Sequence, residues 1–326
     1  MKTMRAIVNT GPGQLAWQDW PLPQPGAGQV RIRTGACAVC ATDLQMIAGW
    51  QRTGFPSIPG HEWSGTVDAV GTGIDPGLVG CRCVAENVLA DGGEVGFEHP
   101  GGYGEYLLTE AYNVQILPAD FPLAVAALIE PLAVSVRGMR RLRLEDKRSA
   151  LVFGDGPIGL IVLMLLRRAG VEDIVMVGGR PERLAFALDL GAVQTLNYHQ
   201  VSGDLPAAVH QVHSQRFLNV IEASGSPAAM QASLDVVARC GRVLMLGDYA
   251  GARADFPWNH LFHQEIELIG SNASAGAWPE AVRLAVSGEL PLERLITHRL
   301  PAAQFAQGIE LMRGRRGDVV KVVLEW

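Results

Sequence analysis

Two short clusters of sulfur, nitrogen and oxygen donors stand near the start of the chain. One is Cys37-Ala-Val-Cys40-Ala-Thr42-Asp43; the other is Gly60-His61-Glu62, and a further acid follows at Glu130-Pro131. Cysteine, histidine and carboxylate are the side chains that hold zinc, and a catalytic zinc takes three of them and leaves one place open for water or substrate. Neither cluster decides the matter alone, since free buried cysteines are common and a His-Glu pair is more often structural. Further on, the run Leu151-Val152-Phe153-Gly154-Asp155-Gly156-Pro157-Ile158-Gly159 leads from an apolar strand through Gly-x-Gly-x-x-Gly into an apolar helix. That order suits a dinucleotide: Gly154 permits the tight turn, Gly156 lets backbone approach a pyrophosphate, and Gly159 lets helix and strand pack closely. Pro157 and Ile158 open the helix, whose first N–H groups and positive dipole end face the phosphates.

The strand that follows bears on which nucleotide binds. NAD sites place an acid about 20 residues beyond the glycines, where it holds the ribose 2′-hydroxyl. Here that place reads Val177-Gly178-Gly179-Arg180, without a carboxylate. Glycines leave room for a larger substituent, and the planar donors of Arg180 suit a 2′-phosphate. A missing acid, room and a cation together predict NADP(H) in preference to NAD(H).

Positioning such groups takes two kinds of architecture, and the sequence contains both. Up to about residue 125 short apolar segments alternate with Gly and Pro, as in Gln29 to Thr34 and Trp63 to Val70, which predicts a β-rich part. Beyond it strands and helices alternate: strand 149–154, helix 158–169, strand 173–177, helix 181–190, strand 217–222, helix 226–240, strand 242–246 and strand 266–270. This pattern implies an α/β fold with a parallel sheet covered on both faces. The tail adds helix 277–288, a strand near 296–299, helix 302–313 and a closing strand over 319–324. With 326 residues there is material for two cores. A net charge of −6 argues against nucleic-acid and anionic-membrane partners. The longest apolar run stops at Arg167, too short to span a bilayer. An odd count of 5 cysteines without framework spacing, and the lack of a signal-like leader, predict a cytoplasmic location.

Taken together, Cys40-Ala-Thr-Asp43, Gly60-His-Glu62, Gly101-Gly-Tyr-Gly-Glu105-Tyr106, Ile129-Glu130-Pro131-Leu132, Gly154-Asp-Gly-Pro-Ile-Gly159 and Glu222-Ala-Ser-Gly-Ser226 resemble the zinc-dependent medium-chain dehydrogenase/reductase superfamily. The similarity lies nearest its sorbitol, polyol and threonine dehydrogenase branch and covers nearly the whole chain. The resemblance implies a GroES-like catalytic domain over 1–131 and 276–326, with a Rossmann doubly wound domain over 132–275. It implies Cys40, rather than Cys37, as thiolate ligand, with His61 and Glu62 beside it and Glu130 as an alternative or water-linked ligand. Asp43 is then the acceptor that orients His61, and Thr42 the hydroxyl that touches the substrate oxygen. Ser224 and Gly225 join the coenzyme residues, and Gly178-Gly179-Arg180-Pro181 is similar to NADP-preferring members.

Three departures qualify the resemblance. The loop from Gly80 to Gly102 contains only Cys81 and Cys83, at its start, so four cysteine ligands for a structural zinc cannot be assembled and one zinc per chain is expected. Gln45 stands where relatives often have a relay histidine, and an amide cannot titrate near neutrality. Asp155 lies inside the glycine turn, where an acid facing phosphates is unfavourable, so it is expected to point to solvent. The predicted activity is reversible hydride transfer between NADP(H) and a secondary alcohol or ketone, in a homodimer or homotetramer. A zinc-free quinone or enone reductase, or a non-catalytic redox-sensing member of the fold, are the competing readings.

Overall fold

The computed structural model describes every residue except 1, 51, 254, 255, 257 and 315. It divides into two compact units, Met1–Glu130 with Trp278–Trp326, and Pro131–Ala277.

The first unit begins with a hairpin of β1 (Thr3–Gly11) and β2 (Gln14–Pro21). Then follow β3 (Gln29–Ala38), α1 (Ala41–Ala48), β4 (Glu62–Val70), β5 (Arg82–Ala85), β6 (Tyr106–Glu110), β7 (Val114–Ile116) and the short α2 (Leu123–Ala126). The alternation read in residues 29–34 matches burial along β3, where Val30, Ile32 and Thr34 face inward. Helix α3 (Ile129–Leu142) carries Pro131 in its first turn, where the missing N–H has no partner to lose.

The second unit is built from β8 (Ser149–Phe153), α4 (Pro157–Arg168), β9 (Asp173–Gly178), α5 (Pro181–Asp189), β10 (Gln194–Asn197), α6 (Leu205–Val212), β11 (Phe217–Glu222), α7 (Pro227–Val236), β12 (Val237–Met245), α8 (Trp258–Gln264) and β13 (Glu267–Gly270). Its six strands are ordered β10-β9-β8-β11-β12-β13, and every neighbouring pair is parallel. This is the doubly wound order, which reverses direction between β8 and β11. Leu151, Phe153, Val175, Val220 and Val243 lie in one buried cluster, and the alternate residues Val152, Ile174, Met176, Ile221 and Leu244 are buried too, so the strands are apolar on both faces, as a covered parallel sheet demands. The predicted helix over 226–240 ends at Val236, and 237–241 belong to β12 instead. β-Branched Val236 and Val237 and then Gly241 favour extended chain over a further helical turn.

The chain then returns to the first unit as α9 (Trp278–Val286), β14 (Ile296–Pro301), α10 (Phe305–Arg313) and β15 (Lys321–Glu325). β15 pairs antiparallel with β3 and parallel with β14, which completes a seven-stranded sheet. Val319, Val322 and Leu324 thereby join Ile7, Ile32, Trp63 and Tyr103 in one core. Among the described residues no helix is long and apolar enough to cross a membrane.

Candidate active site

The metal-ligand candidates converge because three backbone features bring them together. Strand β3 ends at Ala38, and Cys40 caps the N-terminus of α1 with extended φ −99° and ψ 157°. The Asp43 carboxylate, one turn on, accepts from the Cys40 N–H at 2.8 Å and closes that first turn. A thiolate at Cys40 therefore faces the positive end of the helix. Opposite, Gly60 has φ 98°, and a Cβ there would fall 2.6 Å from the Tyr103 ring and 2.8 Å from Cys37 Sγ. Only glycine fits, and the turn it makes delivers His61 and Glu62 into β4.

The ligating atoms of Cys40, His61 and Glu62 all lie within 4.8 Å of one another, the one such group among the described residues. His61 and Glu62 are buried and Cys40 is half-buried. Asp43 Oδ1 lies 3.1 Å from His61 Nδ1, so with a metal bound Nδ1–H would donate to the carboxylate and Nε2 would offer its lone pair to the ion. Burial alone would lower the His61 pKa, but Asp43 and then Cys40 outweigh it and hold the imidazole well above its usual range. Asn87 fixes the backbone here: its Nδ2 donates to the His61 carbonyl at 2.8 Å, and its Oδ1 accepts from Trp63 Nε1 at 2.9 Å. Phe97 packs on the imidazole at 4.9 Å between ring centres. Sulfur, imidazole and carboxylate grouped in this way form a donor set that suits zinc.

Thr42, in the first turn of α1, has its Oγ1 3.7 Å from Cys40 Sγ. Glu130 begins α3 and is not in the group of three, but it stands close enough to feel their charges. Burial pushes its carboxyl up to about 7, with His61 opposing and Glu62 adding. Cys37 is packed in the core, and burial, then Asp43 and Glu62, hold its thiol well above the usual range. Gln45 is exposed.

One residue of this site was missed in the sequence. Lys321 on β15 is 2% exposed, and its Nζ lies 2.5 Å from both carboxylate oxygens of Glu62, itself 1% exposed. Burial would lower the Lys321 pKa, but Glu62 and Cys40 hold it above the usual range. The one signal available was a lone cation inside the apolar closing strand.

In the second unit the glycines do distinct jobs. Gly154 has φ 113°, and a Cβ on Gly159 would fall 1.9 Å from the Gly154 carbonyl oxygen, so strand and helix meet at contact distance. Gly156 caps α4, Pro157 takes its first position with Ile158 after it, and the space that a Gly156 side chain would fill is open to 4 Å. The loop after β11 is tied down by Glu222, which is fully buried. Its Oε1 accepts from Ser224 N at 2.8 Å and from Ser224 Oγ, and its Oε2 accepts from Gly225 N at 3.2 Å and Tyr249 Oη at 2.5 Å. Burial and then Glu222 push the Tyr249 phenol above its ordinary range. Sequence reasoning named Ser224 and Gly225, quoted Glu222 only as part of its motif without this role, and did not name Tyr249.

The expectation for Asp155 is corrected. It does not point to solvent: it is 4% exposed, and Oδ2 accepts from Gly179 N at 2.9 Å and Arg180 N at 2.8 Å. Arg180 Nη1 donates to Oδ1 at 2.6 Å. A carboxylate beside three donors is better served there than in water, provided the donors stay. The glycines at 178 and 179 make the room, since a Cβ on Gly178 would sit 2.6 Å from Asp155 Cβ and one on Gly179 2.5 Å from Tyr198 Oη.

Comparison with known proteins finds relatives over nearly the whole chain. Residues 26–119 match the alcohol dehydrogenase GroES-like domain, and residues 157–287 the zinc-binding dehydrogenase domain. An L-threonine 3-dehydrogenase of Anaeromyxobacter sp. (strain Fw109-5) is 31% identical over 99% of both chains. An alcohol dehydrogenase from Escherichia coli CFT073, solved with NADH, superposes with a TM-score of 0.94 at 23% identity over the whole of both chains. A zinc-binding dehydrogenase from Sinorhizobium meliloti 1021, bound to NADP, gives 0.92 at 22% identity, also over both whole chains.

Proposed function

Because the chain belongs to the zinc-dependent medium-chain dehydrogenase/reductase superfamily, we propose that it transfers a hydride between a nicotinamide coenzyme and a secondary alcohol, polyol or sugar alcohol, or the matching ketone. The observation that carries this reading is the convergence of Cys40, His61 and Glu62 to within 4.8 Å, with Asp43 fixing the His61 tautomer. Zinc held by these three residues would act as a Lewis acid on the substrate oxygen, and the nicotinamide would take or give the hydride.

The remaining work belongs to the chain. Asp43 holds both Cys40 and His61, through the Cys40 N–H and His61 Nδ1, so one buried carboxylate sets the aim of two ligands. Thr42 Oγ1, beside Cys40 Sγ, is placed to accept the substrate hydroxyl proton in oxidation. Glu130, whose carboxyl burial holds above its usual range with His61 opposing, would serve as the next proton acceptor. Gln45, exposed on α1, can pass a hydrogen bond but not a proton. Lys321 balances the charge of Glu62 and limits how far that carboxylate can turn.

The preference for NADP(H) read from Gly178-Gly179-Arg180 rests on an absent acid, open room and an available cation. Asp155 bears on all three, because it brings an acid, fills the room and pairs with the cation. A homodimer or homotetramer joined through the open edge strand β13 completes the proposal.

An oxidation assay over a panel of polyols and amino alcohols, with each coenzyme and a chelator control, tests the activity. Metal analysis is expected to return one zinc per chain. Cys40→Ser should lose both zinc and turnover, whereas Cys37→Ala should keep both; the opposite pattern would move the ligand.

A further inference from the structure

We infer that Asp155 determines the coenzyme preference of this chain, and that it selects the unphosphorylated nicotinamide dinucleotide, NAD(H), over NADP(H). The inference rests on reading the second unit as a coenzyme domain, and it deepens that reading by naming which coenzyme the site takes.

Two successive backbone N–H groups, of Gly179 and Arg180, together with the Arg180 guanidinium, make an anion-binding nest at the end of β9. This is the place from which an adenosine 2′-phosphate would be held. The nest already holds an anion of the chain's own: Asp155, reaching over from the glycine turn, accepts from all three donors at 2.6 to 2.9 Å. Burial locks it there. The residue is 4% exposed, and its Cβ and Oδ2 stand 2.6 and 2.7 Å from where a Gly178 side chain would begin. The carboxylate missing from position 178 has in effect been relocated to position 155.

Counting acceptor sites decides between the two coenzymes. An ionised carboxylate offers about four lone-pair sites. Oδ2 uses two and Oδ1 one, which leaves Oδ1 able to accept one hydroxyl proton, such as that of a ribose 2′-hydroxyl. A 2′-phosphate meets the reverse situation. It must either displace Asp155, which strands a buried charge, or lie beside it as a like charge, which opposes binding. Arg183 adds a second cation, and its Nη1 donates to the Asp155 carbonyl at 3.3 Å. Burial and then Arg180 pull its pKa down to about 10, so it is still charged at neutral pH. Neither cation removes the obstacle, because the backbone donors of the nest are committed to Asp155.

The test is coenzyme binding without substrate, measured by fluorescence titration of NADH and NADPH against the wild type, Asp155→Asn, Asp155→Ala and Arg180→Ala. The wild type should bind NADH more tightly than NADPH by about tenfold or more. Asp155→Ala, and less strongly Asp155→Asn, should move that ratio toward NADPH by about tenfold or more. Arg180→Ala should keep the preference for NADH. Thermal melts identify a variant that has lost its fold, and the wild-type ratio then carries the test by itself. A wild type that favours NADPH overturns the inference, as does an unchanged ratio in a folded Asp155 variant. Since no substrate is present, failure to turn over any alcohol counts against the proposed activity alone, whereas binding of neither coenzyme overturns both.

Discussion

A buried lysine against a buried glutamate is an arrangement in which each partner depends on the other. Lys321 and Glu62 are both within a few per cent of complete burial, and removing one leaves an uncompensated charge, at a typical cost of about 3 to 5 kcal/mol. Lys321→Met should therefore destabilise the metal-free protein by about that amount. Added zinc should restore much of the loss, because a cation on Glu62 replaces the missing ammonium; urea unfolding with and without the metal checks this. Glu130 gives a pH test in the same site. Its folded pKa of about 7 lies above the ordinary 4.5, so the folded chain holds the proton more tightly than the unfolded one. The stability this confers is fully present below pH 4.5 and is lost as pH rises through about 7. Metal-free wild type should thus fall behind Glu130→Gln across that window by on the order of 1 to 3 kcal/mol in denaturation midpoints converted to free energy. At this scale the sequence, through the family resemblance, pointed to Asp43 as the acceptor for His61, but not to the Cys40–Asp43 or Ser224–Glu222 contacts, although their partners are neighbours in the chain. It was silent on Lys321, whose partner lies 259 residues away.

Among the elements, the segment from Asn87 to Gly102 is held by side-chain contacts. Arg52 bonds Glu94 at 2.8 Å and Glu98 at 2.7 Å, and its guanidinium lies 4.4 Å from the centre of the Phe97 ring. His99 pairs with Asp91 at 2.9 Å. Partly exposed pairs of this kind contribute about 1 kcal/mol or less each, so Arg52→Ala should change global stability little. It should free the segment locally, visible as faster amide exchange over 87–102 and faster proteolytic cleavage there. Cysteine labelling reports the strand beneath: burial pushes the Cys83 thiol up to about 12. It should stay unmodified at neutral pH until the protein unfolds, while exposed Cys240 reacts at once. Element identity was readable where period and turn chemistry agree, as at β8, α4 and β9. It failed at the α7–β12 junction, where apolar spacing continued past the residues that end the helix. The side chain of Asp155 was misread for a related reason: a strand–turn–helix motif specifies backbone, and the donors that captured this carboxylate belong to the turn between β9 and α5.

At the scale of the molecule, each unit has its own sheet and core, but only one is continuous in sequence. Pro131–Ala277 holds all six strands of the parallel sheet, so this segment expressed alone should fold cooperatively, with a single thermal transition and retained coenzyme binding. The other unit needs both Met1–Glu130 and Trp278–Trp326: β15 and β14 form one side of its seven-stranded sheet, and Val322 and Leu324 sit in its core. That discontinuous layout reached the sequence reading through family resemblance, because no local pattern records which distant strand a tail will join. It also imposes a timetable. Glu62 leaves the ribosome 259 residues before the ammonium that balances it, so until β15 has been made its carboxylate lacks that restraint. Metal acquisition during synthesis and acquisition after release are then different events, the second meeting a carboxylate already restrained by its lysine.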